Sequence, residues 1–138
     1  MKKFMILTLL AFSFFNYSCN NDDDSNPTEE TASPLAGNWT ISKYDGMALT
    51  SPAYGTFEVT SDSETAGSAK FRLSFDGSNV NDESDNFTIS NNNSTIVFTK
   101  TGGNFNVLAG GETWTINTLN NHSLKMTSSY GLIIEMQK

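Results

Sequence analysis

The sequence predicts an all-β fold, a small antiparallel eight-stranded up-and-down barrel. Three observations predict it. From Leu35 onward, short segments alternate apolar and polar residues with a period of two. Clusters of Gly, Asn, Asp and Ser separate those segments, and no stretch carries an apolar stripe at helical spacing. Strands with one apolar face each must bury those faces against one another, and closing the sheet does so with the fewest exposed edges.

The strands follow in order. "NWTISKY" puts Trp39 and Ile41 on one face, and "YGTFEVTS" puts Phe57 and Val59 together. "AKFRLSF" alternates most clearly, with Phe71, Leu73 and Phe75 inward and Lys70, Arg72 and Ser74 outward. "DNFTIS" supplies Phe87 and Ile89, "STIVFTK" Ile96 and Phe98, and "ETWTINT" Trp114 and Ile116. "HSLKMTS" adds Leu124 and Met126, and "GLIIEMQK" adds Leu132, Ile134 and Met136. The intervening "FDGSNVNDESD", "SNNNS", "TGGN", "LNNH" and "SSYG" carry turn chemistry. With large aromatics on so many strands, the expectation is a filled core in which Trp39 and Trp114 are structural.

Upstream of the barrel the texture differs. Lys2 and Lys3 precede a short apolar run, Phe4 to Phe15, too short for a membrane-spanning helix of roughly 20 residues. Basic start, short apolar run and small residue are the parts of a secretory signal peptide, expected here over residues 1–18. Ser18 is followed by Cys19, the chain's single cysteine. "NYSC" resembles the bacterial lipobox, which implies cleavage before Cys19 and its acylation. One cysteine also rules out an internal disulfide, so packing alone must hold the fold. Residues 19–34, "CNNDDDSNPTEETASP", have no aliphatic side chain larger than Ala and are expected to be a lipidated, disordered tether ahead of a single domain at 35–138.

The formal net charge is −7, and cleavage would remove two lysines and no acid. Such a chain repels nucleic acid and anionic lipid surfaces, so its expected membrane attachment is the acyl group on Cys19. Asp22 to Asp24 resemble the acidic signal that sends Bacteroidota lipoproteins to the cell surface.

Little in the chain suggests catalysis. Its one histidine, His122, lies in an "NNHS" turn, and no cysteine or second histidine completes a zinc site. There is no G-x-S-x-G elbow and no nucleotide-binding glycine loop. Asp76, Asp82, Glu83 and Asp85 read as one acidic loop whose spacing does not match a calcium loop, and it is expected to be metal-free. The protein is therefore expected to be no enzyme and to use no cofactor. Two connections could close the mouth of the barrel. "YDGMALTSPAYG" brings Tyr44, Met47, Leu49 and Tyr54, and "TGGNFNVLAGG" brings Phe105, Val107 and Leu108. Tyr44, Met47, Leu49, Tyr54, Phe105 and Leu108 are the candidate ligand contacts there; the alternative use of the second connection is as a plug.

Two patches carry a family resemblance. "LAGNWTISKYDG" resembles the opening strand of lipocalins, with Gly37, Asn38 and Trp39 in the Gly-x-Trp arrangement. "TWTINTLNNHSLKMTS" is similar to the late hairpin of lipocalin-like lipoproteins of Bacteroidota, through Trp114, Ile116, Leu119, Leu124 and Met126. Lipocalins pack an arginine near the chain end on the first-strand tryptophan, whereas the only arginine here is Arg72. The resemblance implies a lipocalin-like barrel, anchored to the bacterial outer membrane and exposed on the cell surface. It also implies a small apolar or glycan-type ligand at the mouth. The alternative is a solid-core accessory subunit of a surface protein complex.

Overall fold

The computed structural model describes residues 33–138, so Cys19, the signal peptide and nearly all of the expected tether lie outside the described residues. The chain runs through β1 (Gly37–Tyr44), β2 (Met47–Ala48), β3 (Tyr54–Ser61), β4 (Ala66–Ser74) and β5 (Asn81–Ser90). It continues through β6 (Thr95–Gly103), a 3-10 turn at Ala109–Gly111, β7 (Thr113–Leu119), β8 (Ser123–Ser128) and β9 (Ile133–Gln137). Every pairing is antiparallel between sequence neighbours, save that β1 passes over the two-residue β2 to pair with β3. β1 also pairs with β9, from Thr40↔Gln137 to Tyr44↔Ile134, and that pairing closes the barrel. The eight expected strands are all present, and β2 is an added short hairpin arm on Lys43 and Tyr44.

Alternation decides which side chains enter. Along β3, Phe57 and Val59 are buried between the outward-facing Thr56, Glu58 and Thr60. Along β4, Ala69, Phe71 and Leu73 are buried and Arg72 is exposed. Trp39, Phe57, Phe71, Phe87, Trp114, Leu124 and Met126 are each at most 2% exposed, and with their aliphatic neighbours they form one continuous core. Fully burying side chains of this size contributes roughly 1.5–3 kcal/mol each. Aromatic contacts add orientation: Phe57 and Phe87 both meet Phe98 at tilted or edge-on angles, with ring centroids 6.1 and 6.3 Å apart.

The two ends of the barrel differ. At one end the incoming chain packs across the opening: Ser33 and Leu35 are buried, the Ser33 N–H donates to Ser61 Oγ at 3.0 Å, and Trp39 Nε1 donates to the Leu35 carbonyl at 2.9 Å. Lys138 Nζ lies 4.2 Å from the Trp39 ring centroid and donates to the Ala36 carbonyl at 2.7 Å. A lysine therefore supplies the cation over the first-strand tryptophan. The opposite end gathers the connections that follow β1, β4, β6 and β8.

The structure corrects two expectations. Phe75 is not inward: β4 ends at Ser74, the chain turns through Asp76 and Gly77, and Phe75 is 49% exposed, edge-on against Tyr44. The acidic stretch 76–85 is not one loop either. Only Asp76 belongs to the turn, while Asp82, Glu83 and Asp85 lie in β5, and Glu83 and Asp85 point into the barrel at 0% and 1% exposure.

Candidate functional site

The mouth opposite Trp39 is built by a gap in the sheet. β6 pairs with β7 through only Thr95↔Thr115, Ile96↔Trp114 and Val97↔Thr113, so its second half has no strand on that side. Residues 104–112 fold into this gap. Phe105 stacks on Phe71 with ring centroids 6.3 Å apart, and Val107 and Leu108 join the core. The Leu108 carbonyl accepts a 2.7 Å hydrogen bond from Trp114 Nε1. Glycines allow the segment to lie so close. A Cβ on Gly103, where φ is +90°, would sit 2.2 Å from the Asp82 carbonyl oxygen, and one on Gly111 would sit 2.5 Å from the Trp114 ring.

The side chain that holds this segment is Glu83. One oxygen, Oε2, accepts the N–H groups of Val107 and of Leu108, the latter at 3.0 Å, and Oε1 accepts that of Ala109 at 2.9 Å. Three successive backbone donors thus compensate a carboxylate buried in an apolar barrel. Asp85, two residues along the same face, has no such partners, and neither carboxyl oxygen receives a hydrogen bond. Burial first, and then the neighbouring negative charge of Glu83, push its carboxyl up to about 7, opposed by Lys100. The signal was available in the sequence. Positions 83, 85, 87 and 89 have one parity, so the stripe that ends in Phe87 and Ile89 runs back through both acids.

The six candidate contacts sit at this mouth with unequal access. Leu108 is fully buried, Tyr44, Leu49 and Phe105 are half-buried, and Tyr54 and Met47 are 42% and 60% exposed. Burial, helped by the charges of Asp45 and Glu83, raises the Tyr44 phenol above its ordinary range. Phe75, Val80 and Tyr130 add further exposed apolar surface around the same end. Sequence reasoning did not place Phe75 or Val80 here, because it sent the first inward and gave the second to an acidic loop.

The open clefts lie outside the barrel wall. The largest, about 520 Å³, is lined by Tyr54, Thr56, Glu58, Arg72, Val80 and Asp82 on the outer faces of β3, β4 and β5. A smaller one of about 270 Å³ continues from Glu58 along the same strands past Thr60, Ser68, Lys70, Ser84 and Thr101, with Ala69 and Asp85 also in its wall. Acids elsewhere are occupied locally. Asp76 Oδ1 accepts the N–H groups of Asn79 and Ser78, each at 2.8 Å, and these bonds hold its carboxyl well below the usual range. Among the described residues no group of three or more His, Cys, Asp or Glu side chains converges to hold a metal ion. His122 is exposed in its turn, which the Asn120 carboxamide caps by accepting the His122 and Ser123 N–H groups. Comparison with protein-family models, curated proteins and solved structures finds no match to this chain.

Proposed function

We propose that the protein is a non-enzymatic, outer-membrane lipoprotein of the lipocalin-like kind, anchored through acylated Cys19 and exposed at the cell surface. In this reading the barrel works as a solid interaction module, an accessory subunit of a surface complex, and not as a container. The observation that carries the choice is the filled interior. Aromatic side chains from β1, β3, β4, β5, β6 and β7 meet inside, and Phe105, Val107 and Leu108 occupy the mouth where a ligand would enter.

Polarity of the barrel supports the same reading. The chain enters at the Trp39 end, so a tether from Cys19 would present the opposite end, with Met47, Tyr54, Phe75, Val80 and Tyr130, away from the membrane. Exposed apolar side chains gathered at one end of a small domain suit a protein contact. A second reading draws on the outer groove, where Tyr54 provides a ring face beside Arg72, Glu58 and Asp82, a lining suited to a glycan.

Two measurements test this. Changing Cys19 to Ala should move the protein from the detergent-requiring membrane fraction to the soluble one; unchanged membrane association would reject the anchor. Native mass spectrometry of protein purified from its own host should find the mature lipidated mass with no additional small molecule. A stoichiometric apolar adduct would return the interior to ligand carriage, whereas a saccharide adduct lost on Arg72→Ala would favour the groove.

A further inference from the structure

We propose that Glu83 and Asp85 form a shared-proton site inside the barrel that latches residues 104–112 into the mouth, and that loss of this proton releases the latch. The geometry supplies each part. Glu83 is the carboxylate that binds the segment, through the N–H groups of Val107, Leu108 and Ala109. Asp85 is a buried carboxyl without a donor of its own, beside Glu83 on the same strand. The segment is not tied to β7 by a ladder at its height, because the β6 and β7 pairing stops at Val97 and Thr113. Gly102 and Gly103 precede it, and Gly110 and Gly111 lie near its end.

The groups facing the pair decide the direction. From β4, Ala69 and Phe71 stand opposite Asp85 and Glu83 and bring no charge. From β6, Lys100 is the register partner of Asp85, but it is exposed and forms no ion pair with it. From β1, Tyr44 contributes a neutral phenol whose ionisation the Glu83 charge opposes. With the proton present, Asp85 is neutral and donates its O–H to Glu83, leaving the other lone pairs of Glu83 for the backbone donors. With the proton gone, two carboxylates face one another in an apolar chamber, and water must enter to solvate them. The cheapest entry is the seam, by lifting the segment off Glu83. The raised position of the Asp85 carboxyl, about 7, puts this change near neutral pH.

Hydrogen exchange in the full mature chain, held in detergent and followed from pH 5 to 9, tests the latch. After correction for the intrinsic tenfold rise in exchange per pH unit, protection of the Val107, Leu108 and Ala109 amides should fall from pH 5 upward by up to about tenfold per pH unit, one proton being lost per opening. Above about 7, where the closed state has already lost the proton, it should level off. The Phe71 and Phe87 amides should keep their protection over the same range. Asp85→Asn, which can still donate to Glu83, should hold 107–109 protected throughout, and Glu83→Gln should lose that protection at every pH. The proposal is overturned if wild-type protection of 107–109 stays flat, if Phe71 and Phe87 lose theirs in step with it, or if Asp85→Asn keeps the wild-type profile. Should Asp85→Asn not fold, the wild-type contrast between 107–109 and the core amides decides alone.

Discussion

At the residue scale the most consequential side chain is Asp85, because it is charged by type, buried by position and unpartnered by geometry. Its carboxyl is pushed up to about 7 in the folded chain, against an ordinary value of about 3.9 when unfolded. Between those values the folded state binds the proton and the unfolded state has released it. Stability is therefore full below the unfolded value and declines as pH rises through about 7, by at most ~1.4 kcal/mol per pH unit. Urea unfolding at several pH values should show this decline in the parent and a flatter profile in Asp85→Asn. An unchanged slope in the variant would mean that another group titrates. Trp39→Ala should cost ~3–5 kcal/mol, since a fully buried tryptophan leaves a cavity and an unpaired Leu35 carbonyl. His122→Ala, in an exposed turn, should stay within about 0.5 kcal/mol of the parent in the same measurement. Positions such as Trp39 were legible from alternation alone. Asp85 was not, because acid-rich composition read as loop and outweighed a parity that pointed inward.

At the element scale, strand existence was well marked and strand ends were not. The apolar stripe of β4 continues on paper to Phe75, but Asp76 binds the turn amides and Gly77 takes a φ of +76°, so the strand stops first. At the start of β5 the reverse happens: Asn81 to Ser84 look like turn residues, yet they pair with Leu73 back to Lys70 and lengthen the hairpin. Long-range pairing outweighs local propensity at such edges. The segment 104–112 is the least predictable element, since its position depends on bonds to residues outside it, most of them far along the chain: Asp82 and Glu83 of β5, Trp114 of β7 and Ser129. Two glycines separate conformation from space. Gly46 and Gly103 both have positive φ, but a Cβ on Gly46 meets nothing within 4 Å, whereas one on Gly103 collides with the Asp82 and Glu83 backbone. Gly46→Ala should cost about 1 kcal/mol from backbone conformation alone. Gly103→Ala should cost at least twice that in urea unfolding and should also weaken protection of the 107–109 amides. Equal losses for the two would show that the seam yields freely.

At the scale of the whole molecule, closure takes the place of a disulfide, which a chain with one cysteine cannot form internally. β1 pairs with both β3 and β9, and the two ends of the described chain meet over Trp39, where Leu35 accepts its indole N–H and Lys138 covers its ring. Composition placed the start of the domain near Leu35, because nothing before it could pack, and Ser33 is already buried with its N–H on Ser61. This fixes where the chain becomes dispensable. Deleting residues 20–32, which carry no aliphatic side chain larger than Ala, should shift the thermal midpoint by less than about 2 °C, equivalent to a fraction of a kcal/mol. Leu35→Ala lies only a few residues further on, yet it empties a fully buried site beside Trp39. It should cost ~2–5 kcal/mol and lower the midpoint by about 10 °C or more. Calorimetry on the two variants locates the boundary from both sides. A large drop on deleting 20–32 would mean that the acidic stretch packs on the barrel, and a small effect of Leu35→Ala would mean that the Trp39 end is held by β9 and Lys138 without it.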